Sequence, residues 1–212
     1  MIYLFLTTTL TPVQPSWGPT DYPGRQMRYL RCIKQTLDYL KDTDIKPIII
    51  VNDNGVTRSY LDDFDCDIVY TSNNRTDTIH KGKCEMDSIQ YAIQHYNIGD
   101  GDMIIKQTGR YCPCSDYFYK LVMEKCTTHD VLAKFYNVAT YCFDKNDCVM
   151  GLIAIRCKYL RKFQYKLVNT LSPECELAVY MRDYIPSERI YEVEDLSIEY
   201  CHGVNPDALD YY

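Results

Sequence analysis

The sequence lacks an excess of positive charge and lacks any long hydrophobic run. Its formal net charge is −6 at pH 7, whereas nucleic-acid binders cluster lysine and arginine against phosphates. The local basic clusters at 25–31 and 156–166 are predicted to be solvated helix faces. No stretch approaches the roughly 20 apolar residues that span a bilayer, and the amino terminus has no basic signal-peptide segment. We therefore expect a soluble, cytoplasmic chain with no nucleic-acid partner and no membrane insertion.

The sequence also lacks a cysteine framework. Its eleven cysteines include no CxxC pair, and the two closest are Cys112 and Cys114. Structural zinc sites generally use two such pairs, or one pair with histidines, and the four histidines are scattered. We predict that most of these cysteines are reduced and serve as small core residues.

Three common active-site motifs are absent as well. Without GxxxxGK[ST], P-loop chemistry is disfavoured. The first apolar run is followed by Thr7-Thr8-Thr9 instead of GxGxxG, which disfavours a dinucleotide-binding or methyl-donor-binding Rossmann domain. No GxSxG marks a hydrolase nucleophile elbow. Any nucleotide that binds here must be held by loops of another kind.

Short apolar strands alternate with amphipathic helices along the chain. The predicted strands are 2–6, 48–51, 67–70, 103–106, 131–135, 148–155 and 190–200, and the predicted helices are 27–40, 57–64, 86–96, 115–125, 158–169 and 173–184. This alternation predicts an α/β fold with a central, mostly parallel mixed sheet of about six strands flanked by helices. Ligands of such sheets bind beyond the carboxyl ends of the strands. That rule points to Thr7–Thr9, Asp53 and the loops 73–83 and 107–111.

Two segments resemble a known family. KGKCEMDSIQYAI begins at Lys81, and GDGDMIIKQTGRY ends at Tyr111. Both are similar to small GT-A-type glycosyltransferases, in which a Lys-Gly pair opens a helix and an apolar strand runs into Lys-x-Thr-Gly-Arg-Tyr. The opening FLTTTL and the strand end VNDNG resemble the uridine-side loops of that fold. Within the family, the chain most resembles the capsid-glycan glycosyltransferases of large chlorella viruses.

The resemblance implies one GT-A-like (nucleotide-diphospho-sugar transferase) domain over residues 1–212, whether alone or as the amino-terminal domain of a longer polypeptide. It implies a hexosyltransferase-type enzyme with a UDP-sugar donor and a glycan or glycoprotein acceptor, acting in viral capsid glycosylation in the host cytoplasm. It also implies a divalent metal, Mn²⁺ in preference to Mg²⁺. Two alternatives stay open: a catalytically degenerate domain that binds sugar nucleotides or glycans, and a sugar nucleotidyltransferase.

One departure from the family affects the expected metal site. A standard GT-A enzyme ends its fourth strand with Asp-x-Asp, whose carboxylates hold the metal on the donor diphosphate. Here Thr108-Gly109-Arg110 occupies that place. Asp100-Gly101-Asp102 spells the motif but precedes the strand, so we predict a turn there. The segment from Lys106 to Tyr111 is therefore expected to face the donor phosphates.

Several residues are candidates for nucleotide-sugar binding. Arg110 carries a planar donor fork suited to phosphate oxygens, and Lys81 at a helix start would reinforce it; the alternative for Arg110 is a surface ion pair. Lys106 and Thr108 lie two residues apart on a strand and are expected to share one face. Thr7, Thr8 and Thr9 are expected to donate hydroxyl or backbone hydrogen bonds to uracil, with a strand-end role as their alternative. Asp53 is expected to bind the base or ribose, with an Asx turn as its alternative.

The remaining candidates concern the metal and the acceptor. His202, after the last strand, and Asp77, before the third helix, are the proposed metal ligands, a histidine–carboxylate set that suits Mn²⁺. A purely structural histidine is the alternative for His202. An inverting enzyme needs a general base, for which the candidates are Glu174 and Glu176 at an acidic helix start. Acids there also complement the helix dipole, and a retaining mechanism would need no such base.

Overall fold

The computed structural model describes residues 1–11, 22–74, 81–136, 144–166, 172–201 and 209–211. Strands β1–β10 are Ile2–Thr8, Ile45–Asn52, Asp67–Thr71, Met103–Thr108, Cys112–Pro113, Val131–Ala133, Leu152–Arg156, Ile190–Glu192, Ile198–Cys201 and Leu209–Tyr211. Helices α1–α5 are Tyr22–Leu40, Lys81–His95, Tyr117–Lys125, Cys157–Lys162 and Pro173–Tyr184, and 3₁₀ turns lie at Tyr60–Asp63 and Ser187–Arg189.

In the described part of the chain, seven strands form one sheet in the order β3-β2-β1-β4-β7-β6-β8. Strand β7 is antiparallel to both of its neighbours, and the other neighbouring pairs are parallel. The predicted central, mostly parallel mixed sheet is therefore confirmed, with seven strands instead of about six. Because β1 to β4 are parallel, their carboxyl ends lie along one edge, which we call the carboxyl edge.

Helices cover both faces of this sheet. Phe5 of β1 lies in one core with Ile89 of α2 and Leu177 of α5. Leu4, the preceding residue, lies in the other core with Ile33 of α1. Alternate side chains of β1 thus enter opposite cores, which is why the strand is an unbroken apolar run.

The structure divides the predicted strand 190–200 into two strands in different sheets. β8 pairs with β6 in the large sheet, whereas β9 pairs with β5 and β10 in a small antiparallel sheet. Between them, Ser197 has a φ of 50°, a left-handed conformation that ends an extended strand. The predicted strand 148–155 is also shorter, because a turn at Met150-Gly151 precedes β7.

Helix α4 is shorter than the predicted helix 158–169. It ends at Lys162, and Phe163 has an extended backbone and is buried against the rings of Tyr165 and Tyr180. Packing of this aromatic group therefore stops the helix before residue 166. Residues 167–169 of the predicted helix lie outside the described ranges.

The prediction of solvated basic faces is wrong for three arginines. Arg25 is 3% exposed, and its Nε donates to the carbonyl of Thr9 at 2.7 Å. Arg28 pairs with Glu199 of β9. Arg156 donates to buried acceptors at the opposite end of the molecule. Each of these guanidinium groups satisfies carbonyl or carboxylate oxygens that are covered by the fold.

The nine cysteines whose side chains the structure describes are free thiols. Five of them are buried, namely Cys32, Cys84, Cys112, Cys148 and Cys157. This agrees with the prediction of reduced core cysteines. None of the described helices is long and apolar enough to cross a membrane.

Candidate active site

Polar loops meet at the carboxyl edge where β1, β2 and β3 end. The Asp53 carboxylate, directly after β2, accepts the backbone N–H of Thr11 at 2.6 Å. Asn74, after β3, donates its side-chain amide to the carbonyl of Thr11 at 3.1 Å. Asp53 is buried, so one of its functions is to fix the loop that follows β1. Base or ribose binding by Asp53 stays a prediction.

The three threonines at and directly after the end of β1 are hydrogen-bonded to neighbouring groups. The Thr7 hydroxyl donates to Glu85 at 2.5 Å, and the Thr8 hydroxyl donates to the carbonyl of Ile50 at 3.1 Å. The backbone N–H of Thr9 donates to the Tyr29 hydroxyl at 2.9 Å. Both hydroxyl protons of Thr7 and Thr8 thus point at protein acceptors, and their contact with uracil stays a prediction.

The segment after β4 forms a tight turn against the end of β1. The N–H of Tyr111 donates to the carbonyl of Thr108 at 2.8 Å, and the N–H of Gly109 donates to the carbonyl of Thr7 at 2.8 Å. A Cβ atom at Gly109 would lie 2.9 Å from Cγ2 of Thr8. Only glycine allows this close approach, so the Thr-Gly-Arg sequence serves to hold the turn on β1.

Arg110 is positioned through its backbone by helix α1. Its carbonyl accepts from Nε of Arg28 at 2.9 Å and from the thiol of Cys32 at 3.3 Å. Its guanidinium lies 3.5 Å from the Tyr29 hydroxyl, and the guanidinium of Arg25 lies 3.4 Å from the same oxygen. Two positive charges therefore converge beside the loop after β1. Arg25 was not among the sequence candidates, because its packing depends on a tertiary contact with Thr9.

Lys106 faces helix α2 and is almost fully covered. Its ammonium lies 3.0 Å from Oε1 of Glu85, 3.0 Å from the Thr108 hydroxyl and 2.9 Å from the carbonyl of Met150. Lys106 and Thr108 do share one face, as predicted. The ammonium has three N–H donors and three protein acceptors, so direct contact with a donor sugar nucleotide stays a prediction for Lys106.

Helices α2 and α5 begin in contact with each other at the same edge. A Cβ atom at Gly82 would lie 2.6 Å from Cβ of Pro173. Ser172 caps α5, because its hydroxyl accepts the N–H of Cys175 at 3.2 Å. The start of α5, with its two acidic residues, is thereby brought next to the start of α2.

The two base candidates have different environments. Glu176 is 7% exposed, and its Oε2 accepts the N–H of Lys166 at 2.7 Å. Glu174 is partly exposed. Burial raises the pKa of the Tyr165 hydroxyl well above its usual value, and the nearby charges of Glu85 and Glu174 raise it further. The base role stays a prediction, and exposure favours Glu174 over Glu176.

The predicted metal ligands Asp77 and His202 lie outside the described residues, as does the side chain of Lys81. Within the described ranges, no three His, Cys, Asp or Glu side chains are grouped so as to hold a metal ion. Thr108 and Arg110 stand where carboxylates would be needed, so the described residues do not by themselves fit a metal site. Asp100-Gly101-Asp102 forms a turn at the opposite edge, as predicted.

A cavity of about 300 Å³ lies at the carboxyl ends of β6 and β8. Its lining comprises Lys134, Phe135, Tyr136, Glu192, Val193 and Glu194. Tyr136 is half exposed and has a φ of 56°, an uncommon left-handed conformation for a bulky residue. Because β6 is parallel to β4 through β7, this cavity opens on the same edge of the sheet as the Thr108–Tyr111 turn.

No family model and no curated protein matches the sequence. Solved structures do match the fold. A Desulfovibrio desulfuricans G20 protein named as a nucleotide-diphospho-sugar transferase superposes with a TM-score of 0.54 at 8% identity, over 91% of this chain and 79% of that one. The galactosyltransferase LgtC, solved with donor and acceptor sugar analogues, superposes with a TM-score of 0.54 at 10% identity, and the match covers 97% of this chain and 88% of that one. The 4-diphosphocytidyl-2C-methyl-D-erythritol synthase of Anaerococcus prevotii superposes with a TM-score of 0.52 at 12% identity, and the match covers 91% of this chain and 87% of that one. The chain therefore has the GT-A-like fold of nucleotide-diphospho-sugar transferases.

Proposed function

We propose that this protein is a glycosyltransferase that moves a sugar from a UDP-sugar donor to a glycan or glycoprotein acceptor. The observation that carries the proposal is the Thr108–Tyr111 turn, held on the end of β1 with Arg110 and Arg25 converging on Tyr29. Glycosyl transfer leaves a nucleoside diphosphate with added negative charge, and preorganised guanidinium groups stabilise that charge. The GT-A-like fold, which the chain shares with LgtC, is compatible with this reaction class.

The proposal also includes a bound metal ion and a binding place for the acceptor. Asp77 and His202 are the proposed metal ligands, and a bound Mn²⁺ would supply further positive charge to the diphosphate. The cavity beside Tyr136 has an aromatic ring and two acidic side chains, a lining that suits sugar hydroxyls and ring faces. A viral capsid glycan as the acceptor rests on the sequence resemblance of residues 80–111.

The proposal is tested by measuring UDP binding and UDP-sugar hydrolysis, each with and without Mn²⁺. We expect Arg110→Ala to weaken UDP binding at least tenfold, since a charge-assisted hydrogen bond contributes about 1.5–3 kcal/mol. Arg161→Ala is the matched control, because Arg161 pairs with Asp100 at the opposite edge of the sheet. Near-parental UDP binding by Arg110→Ala would refute its phosphate role.

The same assays separate the alternatives. A degenerate binding domain would bind UDP-sugars without turnover at any Mn²⁺ concentration. A nucleotidyltransferase would release pyrophosphate from UTP and a sugar 1-phosphate, and would not transfer sugar from UDP-sugar. If no nucleoside-diphosphate sugar binds or reacts, the proposed function is wrong.

A further inference from the structure

Glu85 is a carboxylate at the carboxyl edge that was not among the sequence candidates. It lies in the second turn of α2, beside the ends of β1 and β4. Its Oε1 atom accepts a hydrogen bond from the Thr7 hydroxyl at 2.5 Å and forms an ion pair with the Lys106 ammonium at 3.0 Å. Its Oε2 atom has no hydrogen-bond partner within the described part of the chain. Among the described residues, one oxygen of this carboxylate is therefore held by protein groups, and the other is available as an acceptor.

The two side chains of the pair differ in exposure. The side chain of Lys106 is 3% exposed and that of Glu85 is 23% exposed. The lysine is thus enclosed, while the glutamate side chain is partly open to solvent. Thr108, which also contacts the Lys106 ammonium, begins the turn that presents Arg110. The acceptor oxygen of Glu85 therefore lies close to the turn proposed to hold the donor diphosphate.

Neutralising the charge of Lys106 does not by itself explain the geometry of the Glu85 carboxylate. A carboxylate buried only to balance a charge is stabilised when both of its oxygens are hydrogen-bonded. Within the described part of the chain, Glu85 instead has both of its contacts, the Thr7 hydrogen bond and the Lys106 ion pair, on one oxygen, which leaves the second oxygen preorganised for a donor group from a ligand. The α-phosphate and β-phosphate of a nucleotide have no hydroxyl donors at neutral pH, whereas the hexose attached to the β-phosphate has several; a contact with a ribose hydroxyl would be shared by UDP and the UDP-sugar.

We propose that Oε2 of Glu85 accepts a hydrogen bond from a hydroxyl of the donor sugar, which makes Glu85 a specificity-determining residue. This inference rests on the proposed function. It predicts that Glu85 distinguishes a UDP-sugar from UDP, and a complete sugar from one that lacks the bonded hydroxyl. A site built to bind a hydroxyl rejects the analogue without it, because its acceptor is then left unpaired.

Glu85→Gln is the sharpest variant. The amide carbonyl can still accept from Thr7 and Lys106, while the outward atom changes from an acceptor to an NH₂ donor. We expect UDP-glucose or UDP-galactose, whichever the parental protein binds more tightly, to bind at least tenfold more weakly. We expect the dissociation constant of UDP itself to stay within about twofold. Isothermal titration calorimetry of both ligands provides the measurement.

Asp87→Asn is the matched control. Asp87 lies on the same helix, is 30% exposed and pairs with Lys83 at 2.5 Å, so this variant changes a similar ion pair away from β1 and β4. We expect it to bind UDP and the UDP-sugar as the parental protein does. Circular dichroism and thermal unfolding of both variants establish that they are folded.

A ligand-side measurement covers the case in which Glu85→Gln does not fold. Mono-deoxy and monofluoro analogues of the UDP-sugar are titrated against the parental protein, and one missing hydroxyl is expected to weaken binding at least tenfold. In a folded Glu85→Gln variant, the same deletion should have little further effect, because the two changes remove one interaction. A parental protein that binds every deoxy analogue equally well overturns the inference.

The outcomes separate this inference from the function on which it rests. If UDP and the UDP-sugar weaken equally in Glu85→Gln, or if neither weakens, the inference is wrong while the glycosyltransferase proposal stands. If the parental protein binds neither UDP nor any UDP-sugar, the proposed function fails and the inference fails with it.

Discussion

Asp130 and Glu85 are both carboxylates paired with basic side chains, but they lie at opposite edges of the large sheet. Asp130 precedes β6, at the amino edge. Its Oδ1 accepts from Arg156 at 3.0 Å and Arg189 at 2.7 Å, and its Oδ2 lies 3.2 Å from the Lys158 ammonium. Both oxygens are engaged by the protein, and the side chain is 5% exposed. At the carboxyl edge, the described residues contact one oxygen of Glu85.

The comparison separates a carboxylate that stabilises the fold from one that is available to a ligand. Burial raises the pKa of Asp130, but hydrogen bonds from Arg189, Arg156 and Lys158 outweigh it and lower that pKa to about 2. The Asp130 cluster thus joins β6, β7 and the chain before β8. Carboxylates such as Glu85, for which the described protein groups contact one oxygen, are typical of binding sites, which are often less than optimal for stability.

Asp130→Asn is expected to have the largest effect on stability. Removing one partner of a buried charge cluster leaves the others uncompensated, and we expect a loss of about 3 kcal/mol in the free energy of unfolding. UDP affinity should be unchanged, because the cluster lies at the edge away from the proposed site. Urea unfolding and UDP titration provide the measurements.

Asp116→Asn is the control for this prediction. Asp116 pairs with Lys120 at 2.6 Å on an exposed helix surface, so its loss should cost about 0.5 kcal/mol or less. Equal losses for the two variants would mean that the Asp130 cluster is no more than a surface ion pair. A large loss of UDP affinity in Asp130→Asn would contradict the proposed division between the two edges.

The second-largest expected effect is the change in stability with pH. The pKa of Asp130 is lower in the folded protein than in the unfolded chain, so its contribution is complete above the unfolded value of about 3.9. It is lost as the pH falls from that value through the folded pKa of about 2. This proton linkage corresponds to about 2–3 kcal/mol. The stability difference between the parental protein and Asp130→Asn should therefore narrow as the pH falls from about 4 to about 2, and a constant difference would disprove the linkage.

The sequence allowed the α/β fold to be predicted because β1 to β4 are apolar runs with clear turn signals after them. The division between β8 and β9 was not predictable, since it depends on the left-handed Ser197 and on the pairing of β9 with β5. The burial of Arg28 likewise depends on Glu199, a residue 171 positions away. Contacts of this kind leave no periodic signal in the chain.

For the site, position in the fold was more predictable than side-chain contacts. The turn after β4 was expected at the carboxyl edge and lies there, whereas the partners of Lys106 were not anticipated. A signal for Glu85 was nevertheless present. Glu85 lies four residues before Ile89 and eight before Ile93, on the apolar stripe of α2, and Lys106 interrupts an apolar strand. An acid and a base that each interrupt a buried surface are expected to pair.

Lys106→Met is expected to destabilise the protein less than Asp130→Asn, and it tests the contrast between Glu85 and Asp130 directly. The change retains the apolar stem of Lys106 but removes the ammonium that fixes Glu85, and we expect a loss of about 1 kcal/mol. The loss should be smaller than in Asp130→Asn, because the partly exposed Glu85 carboxylate regains solvation. UDP-sugar affinity should fall more than UDP affinity, since Glu85 loses its fixed rotamer. Urea unfolding and calorimetry check both expectations. A stability loss as large as that of Asp130→Asn, with UDP-sugar binding unchanged, would place Lys106 and Glu85 in the same structural class as the Asp130 cluster.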